Sequence, residues 1–131
     1  MNRRSSGIAA LSVVAAIGLA SCREGAMPVS TDRVQVDEFS IHTAAQAWTA
    51  GALELTIDNV GERAHTLIIS RDDGQVVAAS DIVDPEQVIE FDVDLGPGTY
   101  QLTCRIVVEG GDGQLFDHFE QGMHATIEVG A

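Results

Sequence analysis

The chain has 131 residues, 45% of them hydrophobic and 21% charged, which suffices for one packed domain and is too little for two ordinary ones. Its 7 basic residues, all arginine, face 20 acidic ones for a net charge of −13, which excludes nucleic acid as a partner because a phosphate backbone would be repelled. The apolar content argues against a disordered chain, and the carboxylates are spread from Glu24 to Glu128 as a solvated surface.

Met1-Asn2-Arg3-Arg4 precedes an apolar run from Ile8 to Ala20, broken only by Ser12 and Gly18. That run is too short to span a bilayer, and a basic start followed by a short apolar stretch is the pattern of an export signal. Leu19-Ala20-Ser21-Cys22 resembles the bacterial lipobox, whose cysteine becomes the lipid-modified first residue of the mature chain; a soluble signal peptide with an incidental cysteine is the plainer alternative. The expected organisation is a lipoprotein signal peptide over residues 1–21, a tether over 22–32 and one domain over 33–131. The protein is then exported and lipid-anchored through Cys22 at the cell membrane, facing the periplasm or the cell exterior. Removal of Arg3 and Arg4 leaves five of the seven basic residues against all 20 acidic ones, a net charge of −15. With Cys22 carrying lipid, Cys104 has no intramolecular partner, so it is an intermolecular disulfide, a buried inert thiol or a metal ligand.

Beyond the tether, short runs rich in Val, Ile, Leu and Thr recur about every ten residues, without a long amphipathic helix. Strands are expected at Val34 to Ile41, Ala52 to Asn59, Ala64 to Ser70, Gln75 to Ser80, Val88 to Val93, Thr99 to Val108, Gln114 to Phe119 and Ala125 to Val129. Asn59-Val60-Gly61, Asp72-Asp73-Gly74, Gly96-Pro97-Gly98 and Gly110-Gly111-Asp112-Gly113 supply the reversals. About eight strands make an all-β, Greek-key sandwich. The alanine-rich stretch Thr43 to Trp48 reads as a loop or a single helical turn, and Trp48, Phe39, Phe91 and Tyr100 as core, with Tyr100 able to hydrogen-bond a turn.

The residues able to carry chemistry are His42, His65, Cys104, His118, Met123 and His124. No serine sits in a nucleophile elbow and no glycine-rich loop opens a helix, so hydrolase and nucleotide readings fall away. The remaining thiolate, imidazoles and thioether form a soft donor set that favours copper over hard cations. Singly, His65 is also explained as a strand histidine, Cys104 as a small buried hydrophobe and Met123 as core filler. His118 and Met123 bracket a four-residue loop with Gly122 as its flexible point, and thirteen residues separate Cys104 from His118. A hairpin around Gly110 to Gly113, with Arg105 opposite His118 and Cys104 opposite Phe119, brings both ends back together and lets His65 join from a neighbouring strand. His42 reads as an exposed loop residue and His124 as surface or as a neighbour of the ligands.

At these residues the sequence resembles the cupredoxins, the blue copper proteins of the plastocyanin, azurin and sulfocyanin type. Asn59 to Leu67 resembles the segment in which the first histidine ligand follows an Asn-x-Gly turn, Gly96 to Cys104 the strand that delivers the cysteine, and His118 to Met123 the closing histidine and axial methionine. The long spacing between Cys104 and His118 departs from the family, where the second histidine follows within a few residues. The resemblance implies copper held by His65, Cys104, His118 and Met123, and electron transfer rather than catalysis. It also implies a redox protein partner, electrons leaving through His118 nearest the surface, and Phe116 and Phe119 as an apolar docking patch; the mature charge of −15 makes that partner a basic one, such as a cytochrome, and the protein is expected to be a monomer. Copper buffering or delivery, and a copper-free structural domain, are the alternatives.

Overall fold

The computed structural model describes residues 28–131. The expected signal peptide over 1–21, the lipidation site Cys22 and the first half of the tether lie outside the described residues. Eleven strands follow one another: β1 (Ser30–Asp37), β2 (Ser40–Thr43), β3 (Ala47–Thr49), β4 (Gly51–Asn59), β5 (Ile68–Arg71), β6 (Val76–Ala79), β7 (Val88–Leu95), β8 (Gly98–Thr103), β9 (Val107–Glu109), β10 (Leu115–Asp117) and β11 (His124–Gly130).

They form two facing sheets, one in the order β2-β1-β4-β7 and one in the order β3-β11-β8-β5-β6, with β9 and β10 as a separate ribbon. The expected β-sandwich is therefore present. Alternation drives it: Leu53, Leu55 and Ile57 of β4 and Val34 and Val36 of β1 turn inward from one sheet, and Ile69, Tyr100, Leu102, Ile127 and Val129 from the other. Each such side chain taken from water contributes about 1.5–3 kcal/mol before the entropy of ordering is set against it. Tyr100 is buried and donates its hydroxyl to the Gly96 carbonyl at 2.9 Å, the turn contact anticipated for it.

The structure moves several boundaries. β1 begins at Ser30, three residues ahead of the expected domain start, because it lies parallel to β4 with Thr31 opposite Glu54 and Asp32 opposite Leu55. Asp32 is structural: its carboxylate accepts the Trp48 indole N–H at 2.7 Å and the Ala45 amide at 3.1 Å. Those bonds accompany a bend over residues 44–46 that leads into a short strand, β3, so the stretch takes the loop alternative and forms no helical turn. The run from Val34 to Ile41 is two strands reversing at Glu38 and Phe39, and His42 is exposed on β2 rather than in a loop.

The ribbon of β9 and β10 also has a different register. Asp117 faces Val107 and Phe116 faces Val108, so His118 comes opposite Ile106 instead of Arg105. The cause is loop length: Gly110 N–H donates to the Gln114 carbonyl at 2.7 Å, leaving a three-residue loop whose last member, Gly113, takes φ +80°. An odd loop with a left-handed third residue shifts the pairing by one.

Candidate metal centre

His65 follows the turn that leaves β4. Asn59 is buried there with every polar atom used: its side-chain oxygen accepts the Gly61 amide at 3.0 Å, and its side-chain nitrogen donates to the carbonyls of Arg63 at 2.7 Å and Val83 at 2.8 Å. The folded-over turn delivers His65 to an isolated bridge with Val83, with backbone bonds of 3.0 and 2.8 Å in the two directions. The expected strand starts only at Ile68, so this bridge fixes the histidine in place of a full ladder.

Cys104 lies one residue past β8, where the chain leaves the sheet, and its amide donates to the Met123 carbonyl at 3.2 Å. Its Sγ receives the Thr66 amide at 3.4 Å and the Thr66 hydroxyl at 3.7 Å. Two donors aimed at the sulfur favour the thiolate. His118 follows β10, donates its amide to the Ile106 carbonyl at 3.0 Å, and sets Nδ1 3.5 Å from Cys104 Sγ. The next turn winds back on itself, Gly122 adopting φ +106°, until the Met123 amide reaches the His118 carbonyl at 3.1 Å. Glycine is required at that φ because a Cβ would be strained.

His65, Cys104 and His118 are each 0% exposed, and one ligand atom from each lies within 4.8 Å of the others. Met123, also fully buried, is tied to Cys104 and His118 through its backbone. Nδ1 of His65 and Nε2 of His118 are buried with no hydrogen-bond partner among the described residues. An unpaired buried polar atom costs about 1–3 kcal/mol, so two of them beside a thiol mark an arrangement built for a ligand from outside the chain. Two imidazoles and a thiolate fit a soft transition metal.

Charges around the cluster are set to match. Burial alone would raise the pKa of Cys104, but the neighbouring His65 imidazole and the Thr66 and Ile106 backbone outweigh it and hold the thiol below its usual value. Burial likewise pulls His65 down, yet the neighbouring thiolate and the Glu38 carboxylate leave it above the ordinary imidazole range. His118 falls below that range, first through burial and then through the positive charges of His65 and Arg63.

The remaining sequence candidates stay apart from this point. His124 is exposed on β11 with its ring 5.4 Å from that of Phe119. Phe116 and Phe119 are half-buried, Phe119 beneath the Arg105 guanidinium at 4.3 Å. His118, like His65, has no exposed surface of its own. Phe39, read as core, also touches the site: it packs on the core and stands edge-on to His118 with ring centroids 5.2 Å apart. Thr66 and Glu38 escaped the sequence reading. Glu38 lies in the reversal between β1 and β2, and nothing in its local sequence sets it apart from the other carboxylates.

No protein-family model matches the chain, and no curated protein matches it. Among solved structures it is similar to auracyanin B, at 16% identity over 81% of this chain and 92% of that chain, with a TM-score of 0.61. It is similar to auracyanin A, described as a "blue" copper protein from the green thermophilic photosynthetic bacterium Chloroflexus aurantiacus, at 14% identity over 78% and 99% of the two chains, with a TM-score of 0.60. Dithionite-reduced auracyanin from Roseiflexus castenholzii gives 15% identity over 78% and 98%, with a TM-score of 0.57. The fold is thus the cupredoxin sandwich that the sequence resemblance implied.

Proposed function

We propose that this domain carries electrons, holding copper between His65, Cys104 and His118 with the Met123 thioether as a weak fourth donor. The observation that carries the reading is the convergence of three fully buried donors within 4.8 Å, two of them with unpartnered ring nitrogens. Copper bound there supplies a one-electron couple between its two oxidation states. The chain contributes a thiolate stabilised by Thr66, histidines fixed by backbone bonds, and a dry enclosure. Burial of all three donors keeps them from direct contact with a substrate, which supports a carrier rather than an enzyme. It also favours retention of the metal over the buffering or delivery reading. Reduction of the copper-loaded domain by ascorbate and reoxidation by ferricyanide should cycle its colour without metal loss; copper passing to a chelator at each reduction would favour delivery.

Export and anchoring complete the proposal. The lipobox-like Leu19-Ala20-Ser21-Cys22 supports a lipid anchor at the membrane, and Cys22→Ala should turn a membrane-partitioning protein into a soluble one. The mature charge of −15 supports a basic redox partner, such as a positively charged cytochrome. On the β9 and β10 ribbon, Val107 is 50% and Leu115 67% exposed, offering apolar contact beside the half-buried Phe116 and Phe119.

A further inference from the structure

Glu38 occupies the reversal between β1 and β2, and 26% of its side chain is exposed. Its Oε1 accepts the amides of Glu62 at 3.0 Å and Arg63 at 2.7 Å and lies 3.2 Å from Nε2 of His65, while Oε2 shares the Glu62 amide at 3.0 Å. A carboxylate only accepts, so the hydrogen between Oε1 and the His65 ring belongs to Nε2. In a neutral imidazole the lone pair is then on Nδ1, the buried atom without a partner. The approach has been given room: a Cβ at Gly61 would stand 2.6 Å from Glu38 Oε1, inside any real contact distance.

We infer that Glu38 is a positioning residue of the metal centre, fixing His65 as the Nε2–H tautomer so that Nδ1 is free to ligate, and setting one negative charge behind that ligand. The inference rests on the copper reading of the cluster. Its logic is that of a ligating histidine oriented through its other nitrogen by a carboxylate. A carboxylate that only stapled the Glu62 and Arg63 amides would leave the ring's tautomer and the metal untouched.

Two measurements separate these roles. In the copper-free domain, at a pH where the ring is neutral, long-range proton–nitrogen NMR should find His65 wholly as the Nε2–H tautomer. Glu38→Ala should release an Nδ1–H population, and Glu38→Gln, whose amide oxygen replaces Oε1, should restore the wild-type tautomer. Gly61→Ala, which keeps the charge but displaces the carboxylate, should behave like Glu38→Ala; this variant also carries the test if Glu38→Ala does not fold. In the loaded domain, copper(II) affinity should fall about 10- to 100-fold in Glu38→Ala. The reduction potential should rise in both Glu38→Ala and Glu38→Gln, because the lost negative charge favours the more oxidised ion. An unchanged tautomer and unchanged affinity in Glu38→Ala would overturn the inference. A wild-type domain that takes up no copper would overturn the copper reading, while a tautomer lost in Glu38→Ala would still support the hold of Glu38 on His65.

Discussion

His65 and His118 reach the same point by different construction. His65 is held from several sides: the Asn59 side chain pins the turn before it, Val83 brackets its backbone, and Glu38 grips its outer nitrogen. His118 sits at the end of a short ribbon, with backbone bonds to Ile106 and Met123, Nδ1 3.5 Å from Cys104 Sγ, the edge of Phe39 against its ring and no partner for Nε2 among the described residues. The rigid half of the site is built into the sandwich core. The other half tolerates a thirteen-residue excursion between Cys104 and His118 because it asks only that the ribbon return to its starting end. Its one-residue register difference therefore changes which residue faces His118 without moving the histidine away from Cys104.

Truncation on each side should measure that contrast. Ile57→Ala, in the core on the strand that leads to the Asn59 turn, should cost about 2–5 kcal/mol in urea unfolding of the copper-free domain. Leu115→Ala, exposed on the ribbon, should stay within about 0.5 kcal/mol. Comparable losses at both sites would show the ribbon to be as integral to the fold as the core.

A smaller effect separates the two imidazoles by pH. The pKa of His118 is lowered, so its contribution to stability is complete above the ordinary value of 6.5 and is lost as pH falls toward the lowered value, where only the unfolded chain takes the proton. His65 is raised, and its contribution is present below 6.5 and lost as pH rises through the raised value. In the copper-free domain His118→Gln should flatten the acid-side decline and His65→Gln the decline above neutrality. Urea midpoints measured across pH read both, and the reverse assignment of the two effects would contradict the charges described around the cluster.

Salt tests the surface instead of the site. Electron exchange with a basic cytochrome should slow as ionic strength rises, because the Debye length shrinks from about 30 Å at 0.01 M to about 8 Å at physiological strength. A flat or rising profile would assign docking to apolar contacts such as Val107 and Leu115.

Much of the rigid half was legible in the sequence. Asn59-Val60-Gly61 marked the turn, alternation in β4 and β8 marked the inward faces, and four soft donors in order marked the centre. What escaped depended on contacts distant along the chain. Glu38 lies 27 residues before the ring it meets and is one carboxylate among 20 acidic residues, so composition hides it. Asp32 looked like tether because its role depends on Trp48 folding back onto it. The ribbon's register turned on whether Gly110 paired or belonged to the loop, a choice of one hydrogen bond between nearly equivalent glycine-rich turns. The edge of Phe39 against the His118 ring is likewise a contact between residues far apart in the chain.

The central claim is that Cys104, His65 and His118 form one copper site. Titrating copper(II) into the purified wild-type domain and into Cys104→Ser, with visible absorption recorded at each addition, tests it most directly. The account predicts an intense thiolate-to-copper band that saturates at one equivalent in the wild type and is absent from the variant. Weak bands alone in the wild type, or an intense band that survives the loss of the Cys104 sulfur, would contradict it.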